Sequence, residues 1–187
     1  MDPSHEGYAD QEVVFKSLGL DVLRNAWEGY NACVFAYGQT GAGKSWSITG
    51  SHDNPGIIPL FCDKLFYFIE HHSPPNTSIS VEASYLEIYN ERVQDLLNPD
   101  GTNLKVREHP ITGVFVEGLS FCAVDCYDDV EALMDEGTAA RTIGATNMNA
   151  SSSRSHSIFE IIITQEMTDP VSKSVSEKQA RVVIIDL

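Results

Sequence analysis

Apolar side chains recur at every fourth position from Val14 through Leu18 and Val22 to Ala26, the repeat of one face of an α-helix. Asp10 stands where an N-cap belongs and Gly29 where a helix stops, so a first helix is predicted from Asp10 to about Trp27. Residues 1–9 are polar and are expected to be loose. Residues 31–37 form a mainly apolar run without helical period and predict a buried strand. Residues 45–49 begin a helix, and residues 50–56 have a loop composition. Pro59 suits the first turn of a second helix, on which Leu60, Phe61, Lys64, Leu65, Phe68 and Ile69 mark the buried stripe. His71 and His72, before Ser73-Pro74-Pro75, suit the negative end of that helix better than a metal site.

The period then changes from helical to alternating. Ile79, Val81, Ala83 and Tyr85 predict a strand that runs as far as Tyr89. Residues 91–97 read as a short helix closed by Asn98-Pro99-Asp100-Gly101. Residues 104–107 and 114–117 flank His109-Pro110-Ile111-Thr112-Gly113 and predict a hairpin. Asp125 can cap a third helix through about Arg141, with Val130, Leu133, Met134 and Gly137 on one face. Residues 158–164 and 180–187 are β-rich and are joined by an acidic, serine-rich linker over 169–177. There is no internal repeat. The alternation of helix and strand predicts a three-layer α/β fold.

Composition narrows the function classes. The chain has 187 residues, 42% hydrophobic and 21% charged, which are values for one globular domain. Its net charge of −15 argues against nucleic acid and anionic membrane as partners of this segment. No charge-free apolar run approaches the ~18 residues of a membrane span, and the N-terminus lacks the pattern of a signal peptide. Cys33, Cys62, Cys122 and Cys126 show no metal-site spacing and read as free thiols of a reducing compartment.

Two segments carry chemistry. Residues 38–45, GQTGAGKS, fit the phosphate-loop pattern G-x-x-x-x-G-K-[ST] without a mismatch. Gly38, Gln39, Thr40, Gly41, Ala42 and Gly43 form a backbone nest whose N–H groups can face phosphate oxygens. Lys44 can reach the outer phosphates, and the Ser45 hydroxyl can ligate Mg²⁺. The second segment is NASSSRSH over residues 149–156. By composition alone it is a flexible polar loop. Its position between a helix and a strand, beside a nucleotide, points to hydroxyls and a guanidinium that order around the last phosphate. Asp186 ends an apolar strand, where a carboxylate can hold Mg²⁺ through water or be an ordinary strand end.

The segments GYNACVFAYGQTGAGKS, SYLEIYNERVQDLL, LKVREHP, NMNASSSRSH and VVIIDL, in this order, resemble the kinesin motor domain, over nearly the whole chain from about Tyr8. GAGKS and LKVREHP are most similar to the vesicle-transporting class. The resemblance implies a P-loop NTPase fold with a central β-sheet core flanked by helices. It implies an Mg²⁺-dependent ATPase that couples ATP hydrolysis to movement along microtubules, cytoplasmic and cytoskeletal in location. Trp46 falls where the family places an aromatic side chain beside the adenine. Ser153 would ligate Mg²⁺ and sense the γ-phosphate, Ser152 and Asn149 would help place the attacking water, and Arg154 would close the gate through a carboxylate. Asp186 would open the second switch. Lys105 and Arg107 lie in the hairpin that approaches tubulin in the family, and they are equally suited to be ordinary surface cations.

The chain also departs from the family pattern. The family has further strands before residue 1 and a second switch and track-binding elements after Leu187, so residues 1–187 are expected to be a partial motor domain, truncated at both ends. Vesicle cargo would be held through a tail outside this chain. The alternative expectation is a truncated, non-motile nucleotide-binding or interaction fragment without microtubule-stimulated ATPase activity. Residues 31–37 are then expected to lie at an exposed sheet edge.

Overall fold

The computed structural model describes residues 8–100, 102–111, 113–148 and 154–187. The first helix is interrupted. It comprises α1 (Gln11–Val14), a π-helical stretch (Phe15–Gly19) and α2 (Leu20–Trp27). Asp10 caps it as expected, its carboxylate accepting from the Val13 N–H at 2.8 Å. It ends in a left-handed Gly29, where the Tyr30 N–H bonds the Asn25 carbonyl and the Gly29 N–H bonds that of Ala26, a Schellman closure. The buried stripe differs from the predicted one. Phe15, Gly19, Leu23 and Ala26 are buried, whereas Leu18 is exposed. The wider π turn rotates the helix face, and the Phe15 ring lies over Gly19, where a Cβ would meet it at 2.2 Å.

Strand β1 (Ala32–Ala36), helix α3 (Lys44–Ile48), the small hairpin β2 (Gly50–Ser51) with β3 (Asn54–Pro55), and helix α4 (Ile57–His72) follow. Strand β4 (Thr77–Tyr89) is long and reaches Tyr89 as predicted. The predicted helix over 91–97 is instead strand β5 (Arg92–Asp95), paired antiparallel with β4. Asn90 and Glu91 both have positive φ, 49° and 59°, which makes a two-residue turn of the type that closes hairpins. Val93 and Asp95 are buried while Arg92 is exposed, an alternation that a helix would not produce. The hairpin β6 (Lys105–His109) and β7 (Gly113–Glu117) forms as predicted, with Thr112 of its turn outside the described residues. Strand β8 (Cys122–Ala123) pairs with β4.

Helix α5 (Tyr127–Met148) is longer than expected. Asp125 does not cap it. Asp129 reaches back and accepts from the backbone N–H groups of Asp125 and Cys126, at 2.9 and 3.2 Å. This is the carboxylate half of a capping box, and these bonds hold the exposed Asp129 carboxyl below its ordinary range. Of the predicted face, Val130, Met134 and Gly137 are buried and Leu133 is half-buried. Strands β9 (His156–Thr168) and β10 (Val175–Asp186) form a hairpin paired as far as Val175↔Thr168, so only the end of the predicted linker over 169–177 is strand and residues 169–174 form the turn.

The main sheet runs β1-β10-β9-β4-β5, with β1 and β10 parallel and the other pairs antiparallel. It is a mixed central sheet flanked by helices, the α/β class expected. Phe159, Ile161 and Ile163 of β9, Val182 and Ile184 of β10, and Val81, Ala83 and Tyr85 of β4 share one face. They form one core with Leu23 of α2, Phe61 and Leu65 of α4, and Val130 of α5. Each fully buried Leu, Ile or Phe of this kind contributes about 1.5–3 kcal/mol. Strand β1 is at the edge of this order. Of its residues only Val34, which points into the core, is buried, and Phe35 is 61% exposed. The run over 31–37 is therefore an edge strand, where the strand prediction alone implied burial.

Candidate nucleotide site

The parallel pair β1 and β10 sets the site. Their register places Ala36 beside Asp186, so both chains reach the same edge of the sheet at their C-terminal ends. From there β1 runs into the loop of residues 38–43. Gly41 and Gly43 have φ of 81° and 89°, conformations that a side chain disfavours. Gly43 is the residue from which α3 starts, and the Ser47 N–H bonds its carbonyl at 2.9 Å. The tight loop and the helix start together aim Lys44 and Ser45 over the end of β10.

The contact that joins the two strands' chemistry is direct. The Ser45 hydroxyl donates to Asp186 Oδ2 at 2.5 Å. Asp186 is buried, at 5% exposure, so its carboxylate depends on this bond and on the cleft for its polar partners. The Lys44 ammonium donates to the carbonyls of Gly38 and Gln39, at 3.0 and 3.4 Å. A cleft of about 320 Å³ opens here, lined by Thr40, Gly41, Gly43, Lys44, Ser45, Trp46, Ser155, Asp186 and Leu187. Trp46 is half-exposed at its rim. The Trp46 carbonyl accepts from Gln11 Nε2 at 2.6 Å, which ties the first helix to the helix that carries the loop.

Thr40, Gly41, Gly43, Lys44, Ser45, Trp46 and Asp186 meet at one cleft, and Gly38, Gln39 and Ala42 complete the loop behind it, with the Ala42 N–H on the Gln39 carbonyl at 3.1 Å. Arg154 is exposed beside Ser155. Asn149, Ser152 and Ser153 lie outside the described residues. Lys105 and Arg107 lie apart, on the β6–β7 hairpin, where Arg107 Nε pairs with Glu117 Oε2 at 3.0 Å.

Sequence reasoning missed Arg141 and Glu87, and within residues 149–156 it did not single out Ser155. Arg141 of α5 donates from Nε to Glu87 Oε1 at 2.8 Å, and from Nη2 to the Ser155 hydroxyl at 2.8 Å and the Ser155 carbonyl at 3.3 Å. The Arg141 and Glu87 side chains are 16% and 11% exposed. The available signal was phase. Arg141 continues the Val130–Met134–Gly137 face of its helix, and Glu87 continues the Val81–Ala83–Tyr85 face of its strand, so both charges point inward.

The whole chain, residues 1–187, matches the family model described as the kinesin motor domain. This chain belongs to the kinesin motor-domain family. It is 50% identical over 190 residues to the human kinesin-like protein KIF13B, covering 100% of this chain and 10% of that protein. It is also 50% identical over 188 residues to the rat kinesin-like protein KIF1A, covering 99% of this chain and 11% of that protein. The chain thus spans about a tenth of the length of these kinesin relatives. Among solved structures, a KIF14 dimer with AMP-PNP in complex with a microtubule superimposes with a TM-score of 0.86 at 42% identity, over 100% of this chain and 53% of that one. The kinesin fold of the cleft and sheet is therefore shared at the level of the backbone.

Proposed function

We infer that this chain is the nucleotide-binding part of a microtubule motor driven by ATP hydrolysis. The observation that carries this reading is the Ser45–Asp186 contact at the common end of β1 and β10, under a glycine-rich loop that presents Lys44. The residues suit Mg²⁺. A hydroxyl and a buried carboxylate are hard oxygen ligands, the type that this ion takes together with phosphate oxygens. Bound there, the ion would neutralise charge on the outer phosphates.

The remaining roles belong to the chain's own groups. The N–H groups of residues 38–43 and the start of α3 hold phosphate oxygens. Lys44 leaves the loop carbonyls for the outer phosphates. Trp46 offers its ring to the adenine. By the family resemblance, Asn149, Ser152, Ser153 and Arg154 would act on the γ-phosphate, and Ser153 would be a further ligand for Mg²⁺. Lys105 would present positive charge toward tubulin, whose acidic surface suits it, whereas the charge of Arg107 is already paired with Glu117. The match with a kinesin solved on a microtubule supports that partner, and with it a cytoplasmic, microtubule-associated location. Vesicle cargo would be held by parts of the protein outside residues 1–187.

The test is hydrolysis of Mg·ATP by the full-length protein, with and without microtubules. Hydrolysis should rise on adding microtubules and be abolished by Lys44→Ala. Hydrolysis that ignores either the microtubules or the substitution would refute the reading.

A further inference from the structure

The β4–β9 ladder ends at Ile88↔His156. Ser155, the next residue, has left the ladder, yet it is 6% exposed and lines the cleft beside Ser45 and Asp186. The Arg141 guanidinium bonds it there. One edge binds Glu87 of β4 and another binds both the hydroxyl and the carbonyl of Ser155. The guanidinium takes the place of the next rung of the sheet. A planar group with several fixed donors can make such a three-point link, and a lysine ammonium reproduces it poorly. Because Glu87 is fixed within a long central strand and Arg141 within a long helix, the link transfers their rigidity to one point on the cleft wall.

We propose that Arg141 is a positioning residue for nucleotide recognition, clamping Ser155 so that the γ-phosphate wall of the cleft is set in advance. This rests on the reading of the cleft as an ATP site. Ser155 lines the cleft on this side. The phosphate loop holds a diphosphate without help from this wall, whereas a triphosphate needs both walls. Loss of the clamp therefore weakens triphosphate binding selectively. A purely structural role for Arg141 would weaken both nucleotides alike, or neither.

The experiment is titration of the full-length protein with ADP and with a non-hydrolysable ATP analogue, for wild type, Arg141→Gln and Ser155→Ala. Charge-assisted hydrogen bonds of this kind are among the stronger ones in a protein. Arg141→Gln should therefore lower affinity for the triphosphate by about tenfold, with ADP affinity changed less than about twofold. Ser155→Ala keeps the carbonyl bond and needs no buried charge to be rearranged. It should shift the ratio in the same direction by about threefold, and it keeps the test open if Arg141→Gln misfolds. An unchanged ratio in Ser155→Ala, or equal losses for both nucleotides in a folded Arg141→Gln, overturns the clamp while leaving the nucleotide site standing. A wild type that binds neither nucleotide overturns the site reading and the clamp together.

Discussion

The two walls of the cleft are built by opposite strategies. One is contiguous: residues 38–45 supply the backbone nest, the ammonium and the hydroxyl within eight positions. The other is assembled from Glu87, Arg141 and Ser155, which three separate elements bring together. The contiguous wall is exposed and makes few contacts with the core, so it is specialised for chemistry. The assembled wall contains a mostly buried ion pair, so it bears on stability as well as on recognition. A substitution in the first should change binding and leave folding alone. A substitution in the second should change both.

The sharpest way to break this contrast is Arg141→Met. It leaves the Glu87 carboxylate buried without its main partner, and should cost about 3 kcal/mol or more in stability. Lys44→Ala should leave the denaturation midpoint within about 0.5 kcal/mol, because the half-buried Lys44 bonds only carbonyls of its own loop. Urea denaturation of both variants checks the pair. Equal midpoints would mean that the two walls do not differ in this respect.

A smaller effect is expected where α5 approaches β4. A Cβ at Gly137 would meet the Tyr85 ring at 2.2 Å, and that ring packs edge-on against Phe159 at 5.4 Å. Gly137→Ala should cost about 1–3 kcal/mol by overpacking. It should also move α5, and so lower triphosphate affinity through Arg141. A destabilised variant with an unaltered ATP-to-ADP ratio would show that the clamp tolerates displacement of its helix. At the N-terminal end, Asp10→Ala removes a helix cap worth about 1 kcal/mol. It should lower the melting temperature without changing nucleotide affinity, as a scan and a titration would show.

The smallest effect depends on pH. Glu160 of β9 is mostly buried, and burial raises its carboxyl above the ordinary 4.5 while Arg181 partly opposes the shift. Arg181 Nε stands 2.9 Å from Glu160 Oε1, off the direction of a hydrogen bond. Since the folded value lies above the unfolded one, folding favours the protonated acid. The associated stability is present below about 4.5 and is lost as pH rises through the folded value. Glu160→Gln should therefore be slightly more stable than wild type at pH 7, with the gap closing as pH falls toward 4.5. A gap that widens on acidification would reverse the assignment.

What was legible in the sequence follows the same division. Asp10, Gly29, the phosphate loop, the alternation over 79–89 and the β6–β7 hairpin are local patterns, and each predicts its element correctly. Residues 91–97 misled because Glu91, Arg92, Val93, Gln94 and Leu96 suit a helix by composition, while the two-residue turn at Asn90-Glu91 and pairing with β4 decide otherwise. The π turn displaced the stripe of the first helix for a reason that spacing alone does not reveal, the fit of the Phe15 ring over Gly19. Asp186 became interpretable through Ser45, 141 positions away. Arg141 and Glu87 were visible as inward-facing charges, but their meeting at Ser155 is a property of the packed sheet and helix.

The most direct measurement is binding of ATP to the full-length protein, with Mg²⁺ and with a chelator, for wild type and Lys44→Ala. Wild type should bind ATP, more tightly with Mg²⁺, and Lys44→Ala should lose about a hundredfold or more in affinity while remaining folded. Equal affinity in the two proteins, insensitive to the metal, would contradict the account that the ends of β1 and β10 form a nucleotide site.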